Sequence, residues 1–102
     1  MIQKNKDKMI ELKLKIKQYS YELGLDESAI QKGNSLIENY MNRFSTRNNT
    51  DSLAAGVVYI SSILVGNRKT QNEICKISKV SRGSLRKNYK KLGESIDLDI
   101  LL

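Results

Sequence analysis

Residues 70–92 have the sequence TQNEICKISKVSRGSLRKNYKKL, which predicts two short helices separated by a tight turn. Thr70 and Glu73 have the spacing of a capping box, so the first of these helices should begin at Thr70. The turn comprises residues 78–80 and has a lysine at its centre, a residue type that disfavours a positive φ angle without forbidding it. Ser81 can then cap the second helix. This order of elements is typical of a helix-turn-helix.

The second of these helices gathers positive charge on one side. Leu85, Tyr89 and Leu92 have the three- and four-residue spacing of a buried face. The remaining arc is basic, and its members are Arg82, Gly83, Arg86, Lys87 and Lys90. Between positions 68 and 92 the chain has nine lysines and arginines but a single carboxylate, Glu73. Such a helix is typical of polyanion binding, and a merely solvated basic face is the alternative.

The motif predicts two roles for residues of the second helix, base reading and phosphate binding. The N-terminal part of this helix would reach base edges in a major groove. Arg86 can offer two parallel hydrogen bonds to guanine O6 and N7, and Gly83 permits close approach. The candidate base-reading residues are Arg82, Gly83, Ser84 and Arg86. The candidate phosphate-binding residues, which set register without reading sequence, are Lys69, Thr70, Ser81, Lys87, Lys90 and Lys91.

Two helices are predicted in the first half of the chain. The first begins at Asp7 and ends at Gly24, with an apolar stripe made of Met9, Leu12, Ile16, Tyr19 and Leu23. Leucine and isoleucine alternate with lysine over 12–16, as in a strand, but the helical stripe is longer. The second helix begins near Asp26, with a predicted buried face made of Ala29, Ile30, Leu36, Ile37, Tyr40, Met41 and Phe44. Gly33 within it predicts close packing against a neighbouring helix.

A third helix is predicted after a loop at residues 45–49, with Thr50 or Asp51 as its cap. Residues 53–65 are apolar nearly all round, which is typical of a helix at the centre of a bundle. Gly93 is predicted to end the last helix, and the residues after it suit either a short extended arm or one more helical turn.

The composition excludes several classes of protein. The chain has 102 residues, the size of one domain, a net charge of +7 and no histidine. Its one cysteine, Cys75, is expected to pack as a small hydrophobe. Because histidine is absent and a single cysteine cannot form a multi-cysteine metal site, we expect no enzyme, no metal and no cofactor. The tyrosines on apolar stripes are expected in the core, namely Tyr19, Tyr21, Tyr40 and Tyr59. No run of about 18 apolar residues and no signal peptide is visible, so we expect a soluble, intracellular protein without membrane contact.

Several segments resemble one cyclin-like repeat of the transcription factor IIB family. They are LGL at 23–25, AAGVVYIS at 54–61, KTQNEI at 69–74 and VSRGSLRKNYKKL at 80–92. The likeness covers about three quarters of the chain, from Ile16 to Leu92, and is greatest to the second repeat of archaeal transcription factor B, its C-terminal core domain.

The resemblance implies an all-α, five-helix cyclin-like bundle around a central third helix, with a C-terminal helix-turn-helix. It implies binding of double-stranded promoter DNA beside the TATA-binding protein, with the base-reading arginine at Arg86. The neighbouring reader is commonly a valine, whereas this chain has Gly83, so its sequence preference is expected to differ. The chain lacks the family's zinc ribbon, linker and first repeat, so we expect an excised C-terminal domain or a truncated relative. Contact with RNA polymerase is implied only for a full-length factor.

The expected organisation is a basic flexible lead-in at 1–8, one cyclin-like repeat at 9–93 and a tail at 94–102. The lysines near the N-terminus form either a solvated face or a second set of phosphate contacts. The expected compartment is the cytoplasm of an archaeal-like cell, or the nucleus of a eukaryotic one. The alternative function is a cyclin-box scaffold that binds a protein and uses its charge for solubility.

Overall fold

The computed structural model of the protein describes residues 2–43 and 49–96, with side chains from residue 7 onward. Five α-helices follow one another: α1 (Ile2–Glu22), α2 (Glu27–Arg43), α3 (Thr50–Leu64), α4 (Gln71–Ser78) and α5 (Arg82–Ser95). No strand occurs in the described part of the chain, and the all-α five-helix bundle predicted from the sequence is confirmed. None of the helices in these residues is both long enough and apolar enough to cross a membrane.

The third helix is the centre of the bundle, as predicted. Every residue from 53 to 62 is buried, and α3 contacts all four other helices. The burial follows from composition, because a helix that is apolar all round must have neighbours on every side. Its two buried serines, Ser61 and Ser62, satisfy their hydroxyls by donating to the carbonyl oxygens of Val58 and Tyr59, at 3.1 and 2.7 Å.

Two glycines allow neighbouring helices to approach closely. A Cβ at Gly33 of α2 would lie 2.9 Å from Ile16 Cγ2 and 3.3 Å from Val57 Cγ1, which confirms the predicted close packing. A Cβ at Gly56 of α3 would lie 3.1 Å from the Tyr89 backbone nitrogen, and 3.0 and 3.3 Å from Cβ and C of Asn88. The α3–α5 contact is therefore made against backbone, which cannot yield as a flexible side chain can.

The first helix buries the predicted stripe. Leu12, Ile16 and Tyr19 are buried, and Met9 and Leu23 pack half-buried against the same core. Leu14 is 63% exposed, as the helical interpretation requires and a strand would not. The helix ends as predicted at the glycine that follows it, Gly24, whose φ is +74°.

The start of α1 lies earlier than predicted, because the helix begins at Ile2 and not at Asp7. Residues 2–8, expected as a lead-in, are therefore helical. The division into lead-in, repeat and tail remains a prediction. Phe44, residues 45–48 of the predicted loop and residues 97–102 of the tail lie outside the described part of the chain.

The second helix follows its predicted pattern. Asp26 precedes it and accepts hydrogen bonds from the backbone nitrogens of Ser28 and Ala29, at 3.1 and 3.4 Å. A hydrogen bond from the Ser28 hydroxyl, together with these two backbone bonds, lowers the pKa of Asp26. The predicted face is buried at Ala29, Ile30, Leu36, Ile37 and Tyr40, with Met41 half-buried.

Three predictions about single residues were wrong. The cap of α3 is Asn49, whose Oδ1 accepts from the Ser52 nitrogen at 3.2 Å, and not Thr50 or Asp51, which already lie within the helix. Tyr21 is 58% exposed, because a residue two positions from buried Tyr19 lies on the other side of a helix. Gly93 does not end α5 but is buried within it.

The last helix continues to Ser95, whose carbonyl oxygen accepts a hydrogen bond from Arg43 Nη1 of α2 at 2.9 Å. This tertiary contact holds the end of α5 where local sequence predicted a stop at Gly93.

Replacing Gly56 with alanine should destabilise the fold by about 1–3 kcal/mol, because the new Cβ would press on the α5 backbone. Urea denaturation measures the change. Gly83→Ala is the matched control: its Cβ would meet open space, so it should be neutral or stabilise by up to about 1 kcal/mol. Equal stabilities of wild type and Gly56→Ala would show that α3 and α5 are not in close contact.

Alkaline pH should weaken the bundle through Tyr19. Its burial, the charge of Asp51 and a 3.3 Å hydrogen bond from Tyr19 Oη to Asp51 Oδ1 raise the pKa of Tyr19 to about 12. A raised pKa means that the folded state holds the proton more tightly than the unfolded chain. The stability that protonated Tyr19 adds to the folded state is therefore fully present below pH 10 and is lost as pH rises toward about 12.

Tyr19→Phe should therefore flatten the fall in unfolding free energy across that alkaline range, measured by urea denaturation at a series of pH values. Part of the fall should remain, because burial also raises the pKa of Tyr40. Tyr21→Phe removes an exposed hydroxyl on the same helix and should leave the pH dependence unchanged. An identical pH dependence in wild type and Tyr19→Phe would contradict this role of Tyr19.

Candidate nucleic-acid interface

The capping box predicted for α4 is present in full. Thr70 Oγ1 accepts from the Glu73 backbone nitrogen at 3.1 Å, and Glu73 Oε1 accepts from the Thr70 nitrogen at 3.2 Å and from its hydroxyl at 3.0 Å. The bonds from the Thr70 backbone and side chain lower the pKa of Glu73. Thr70, a candidate phosphate ligand, thus has both donors engaged within the cap.

The turn uses a lysine where glycine is usual. Lys79 has φ 60° and ψ 25°, in the left-handed region, and its N–H donates to the Cys75 carbonyl oxygen at 2.9 Å. For a residue other than glycine, this left-handed conformation is about 1–2 kcal/mol less favourable than the right-handed one. The buried Ser78 hydroxyl supports the turn, because it donates to the Ile74 oxygen at 2.7 Å and accepts from the Val80 nitrogen at 3.3 Å.

The last helix begins and packs as predicted. Ser81 Oγ accepts from the Ser84 nitrogen at 3.1 Å, and Leu85, Tyr89 and Leu92 form the buried face. Asn88 is buried as well, which the apolar pattern did not predict. Its Nδ2 donates to the Ser84 carbonyl oxygen at 2.8 Å. This buried polar side chain therefore has a hydrogen-bond partner on its own helix, at the point where α5 meets Gly56.

The opposite face of α5 is open and basic. It exposes Arg82, Gly83, Arg86, Lys87, Lys90 and Lys91. Among the side chains described for residues 7–43 and 49–96, none forms an ion pair with Arg82 or Arg86. Ser84 is half-buried, and so is Lys69, whose backbone nitrogen donates to Ser62 Oγ at 3.1 Å. The predicted phosphate-binding lysines of α5 therefore share an exposed face with two arginines that have no acidic partner in this part of the chain.

Two tyrosines join the helix-turn-helix to the central helix. The rings of Tyr59 on α3 and Tyr89 on α5 lie 4.6 Å apart at 38°. Gln71 Nε2, at the start of α4, donates to Tyr89 Oη at 3.2 Å, and Arg68 Nη2 donates to Tyr59 Oη at 3.1 Å. Neither Gln71 nor Arg68 was predicted as a site residue, because nothing in their spacing indicates which distant hydroxyl they meet.

A pocket of about 340 Å³ opens between the two helices of the motif, lined by Gln71 from α4 and by Arg82, Gly83 and Arg86 from α5. The structure thus brings together three of the four candidate base-reading residues. The fourth, Ser84, does not line the pocket.

Cys75 packs half-buried against the core, as predicted for a small hydrophobe. Burial raises the pKa of its thiol, with Arg82 partly opposing the shift, so the unreactive thiol is favoured over the thiolate at neutral pH.

Three lysines of α1 differ from those of α5. Lys13 Nζ is paired with Glu38, Lys15 Nζ lies 2.6 Å from Asp51 Oδ1, and Lys17 Nζ lies 5.9 Å from the centre of the Tyr21 ring. These three cations have partners within the bundle, which weakens the idea of a second set of phosphate contacts.

Comparison with known proteins gives consistent matches. The model of the transcription factor TFIIB repeat matches residues 5–95. The chain is 31% identical over 86 residues to transcription initiation factor IIB 2 of Thermoplasma acidophilum, covering 83% of this chain and 28% of that protein. It is 28% identical over 88 residues to transcription initiation factor IIB of Methanocaldococcus jannaschii, covering 85% and 13%. For plant-specific TFIIB-related protein 1 of Arabidopsis thaliana the identity is 41% over 76 residues, covering 74% and 15%. The chain therefore spans less than a third of the length of these relatives.

Thr70→Ala should remove the α4 cap and cost about 0.5–2 kcal/mol of stability, with faster hydrogen exchange at the amides of Glu73 and Ile74. The matched control is Thr50→Ala, since α3 takes its cap from Asn49 and should keep its stability. Unchanged exchange at both amides in Thr70→Ala would show that the capping box does not hold the start of α4.

Proposed function

We propose a function for this chain from one premise: the chain belongs to the transcription factor TFIIB repeat family. It is the DNA-binding domain of a general transcription initiation factor, and it binds promoter DNA beside the TATA-binding protein. Helix α5 enters the major groove as the recognition helix. The relatives named above, two initiation factors IIB and one TFIIB-related protein, support the first part of this proposal.

The observation that carries the DNA-binding part is the two-sidedness of α5. Its inner face is anchored by buried Leu85, Tyr89 and Leu92, while its outer face is basic and open. A duplex carries one phosphate charge per about 1.7 Å of its axis, so an unpaired row of cations on a rigid helix matches it. Paired cations, like Lys13 and Lys15 of α1, would have to break an existing ion pair first.

The residues of α5 divide into two roles. Arg86 forms two parallel hydrogen bonds with guanine O6 and N7, the commonest specific contact in a major groove. Lys87, Lys90 and Lys91 lie farther along the exposed face and hold phosphates, which position the helix without reading sequence.

The partners follow from the same family. The TATA-binding protein would place the domain on the promoter, where one helix-turn-helix alone binds weakly because it makes few phosphate contacts. RNA polymerase would be contacted only by a longer factor, since this chain spans less than a third of its relatives.

A protein-docking scaffold is the second candidate, and one observation favours it. Helix α1 exposes Ile10, Leu14 and Tyr21 at 58, 63 and 58%, and their spacing puts them on one side of that helix. An exposed apolar row of this kind suits a protein contact. It does not account for the unpaired basic row on α5, so DNA binding is the better-supported function.

Arg86→Ala should lose about 1–3 kcal/mol of discrimination at one base pair, whereas Lys90→Ala should weaken binding to all sequences alike and lower the salt slope by about 1. Fluorescence anisotropy on a TATA-containing promoter duplex and on a random duplex, with and without TATA-binding protein, measures both effects over a salt series. Lys32→Ala removes one exposed charge from α2 and serves as the matched control, with binding unchanged.

Equal weakening of promoter and random duplex by Arg86→Ala would remove Arg86 from base reading. Binding that does not fall as salt rises, or no binding to either duplex, would favour the protein-docking scaffold, because each phosphate contact should contribute about −0.9 to the salt slope.

A further inference from the structure

The outer side of α1 carries an apolar row that the bundle does not bury. Among the side chains described for residues 7–43 and 49–96, four large apolar ones are exposed, and three of them lie on this helix: Ile10, Leu14 and Tyr21. Each of the three is more than half exposed. The row lies on the side of the helix away from buried Leu12 and Ile16, so it is not part of the core. A contiguous exposed row of this kind marks an interaction surface.

Two charged residues, Asp7 and Lys17, continue the same row. Positions 7, 10, 14, 17 and 21 are separated alternately by three and four residues, which is the spacing of the contact line in a coiled coil. Both charged side chains are exposed, and neither forms an ion pair in the described part of the chain. Lys17 Nζ lies 5.9 Å from the centre of the Tyr21 ring, so the lysine stays on this line. The row thus has an acid, two aliphatic residues, a cation and an aromatic residue in that order.

We infer that this row binds the same row of a second copy of the chain, with the two α1 helices antiparallel about a two-fold axis. Ile10 of each copy packs beside Leu14 of the other, and Asp7 of each copy faces Lys17 of the other. The inference goes beyond the proposed function and does not depend on it, since no residue of the row belongs to α5.

The positions of the charges select the antiparallel arrangement. Two antiparallel helices advance by equal steps in opposite directions, so when position 10 pairs with position 14 of the second copy, position 7 pairs with position 17. Opposite charges then meet at both ends of the apolar contact. A parallel pair would instead place each charge beside its own copy. Antiparallel helices also bring opposite ends of their dipoles together. The row is therefore complementary to itself, as an interface between two-fold related copies must be.

The outer faces of α2 and α5 do not offer this contact. The exposed side of α2 is polar, with Gln31, Lys32, Ser35 and Asn39 in contact with solvent. The exposed side of α5 is basic, so two copies of it would repel each other. The row on α1 has one acid and one cation and is neutral. It is therefore a surface at which two copies of a chain with a net charge of +7 can approach.

Pairing through α1 leaves the basic helix exposed. Helices α1 and α5 both pack on α3, but within the described residues they do not contact each other. A dimer formed by the α1 row would thus present two copies of the basic face of α5, and under the proposed function both would be available to DNA.

Sedimentation equilibrium of the full chain, without DNA and between about 5 and 500 µM, tests the inference. The contact is small, so a weak dimer with a dissociation constant of about 10–300 µM is expected. Leu14→Gln should raise this constant at least about tenfold, because both copies lose a leucine from the contact. The melting temperature of dilute protein should not change, since Leu14 is exposed in the single chain. Leu64→Gln removes an exposed leucine from α3 and is the matched control, with association unchanged.

Charge reversal tests the antiparallel register. Asp7→Lys and Lys17→Glu should each weaken the dimer about three- to tenfold, because each places like charges opposite one another at both ends of the contact. The double variant Asp7→Lys/Lys17→Glu restores opposite charges and should return the dissociation constant to within about twofold of wild type. Lys32→Glu makes the same change of charge on α2 and should not weaken association.

A chain that stays monomeric over the whole concentration range overturns the inference, and so does a dimer that Leu14→Gln leaves intact. A double variant that associates no better than the single variants overturns the antiparallel register. If the chain is monomeric and Leu14→Gln shifts the amide NMR signals of residues 97–102, the chain's own end covers the row and the second copy is again excluded. None of these results bears on the proposed function, which the DNA-binding measurements test separately.

Discussion

The contact between α3 and α5 at Gly56 is the constraint from which the rest of this structure follows. Because a glycine faces the backbone of Asn88 and Tyr89, the basic helix lies directly on the most buried helix of the bundle. Backbone against backbone leaves no flexible side chain to absorb a shift, so the position of α5 is as well defined as the core itself. The base-reading role proposed for α5 needs this property, since hydrogen bonds to base edges tolerate little misplacement.

The same contact brings Tyr89 beside Tyr59, and this pair holds the start of α4 against the bundle. Tyr89 accepts a hydrogen bond from Gln71 at the start of α4, and Tyr59 accepts one from Arg68 in the preceding loop. Both helices of the motif are thus joined to the central helix through one aromatic pair. The left-handed Lys79 then closes the turn between them, and its unfavourable conformation is tolerated because hydrogen bonds hold it on either side.

The lysines of α1 and α5 named here have different roles because their surroundings differ. On α1, Lys13 and Lys15 are neutralised by carboxylates of α2 and α3, and so they join helices together. On α5, the exposed Lys87 and Lys90 have no ion pair in the described part of the chain. Among the described side chains, five exposed cations therefore lie together on α5, namely Arg82, Arg86, Lys87, Lys90 and Lys91.

The sequence by itself determined whatever depends on residues a few positions apart: the helical stripes, the capping box at Thr70, the cap at Ser81 and the two faces of α5. Local spacing suffices there, because one helical turn brings residues i and i+4 together. Only the tertiary structure decided that α5 continues past Gly93 to meet Arg43, and that Gln71 lies across a pocket from Arg86. Those outcomes depend on which distant residues meet, and the chain folds them together through burial and close packing, which no local pattern encodes.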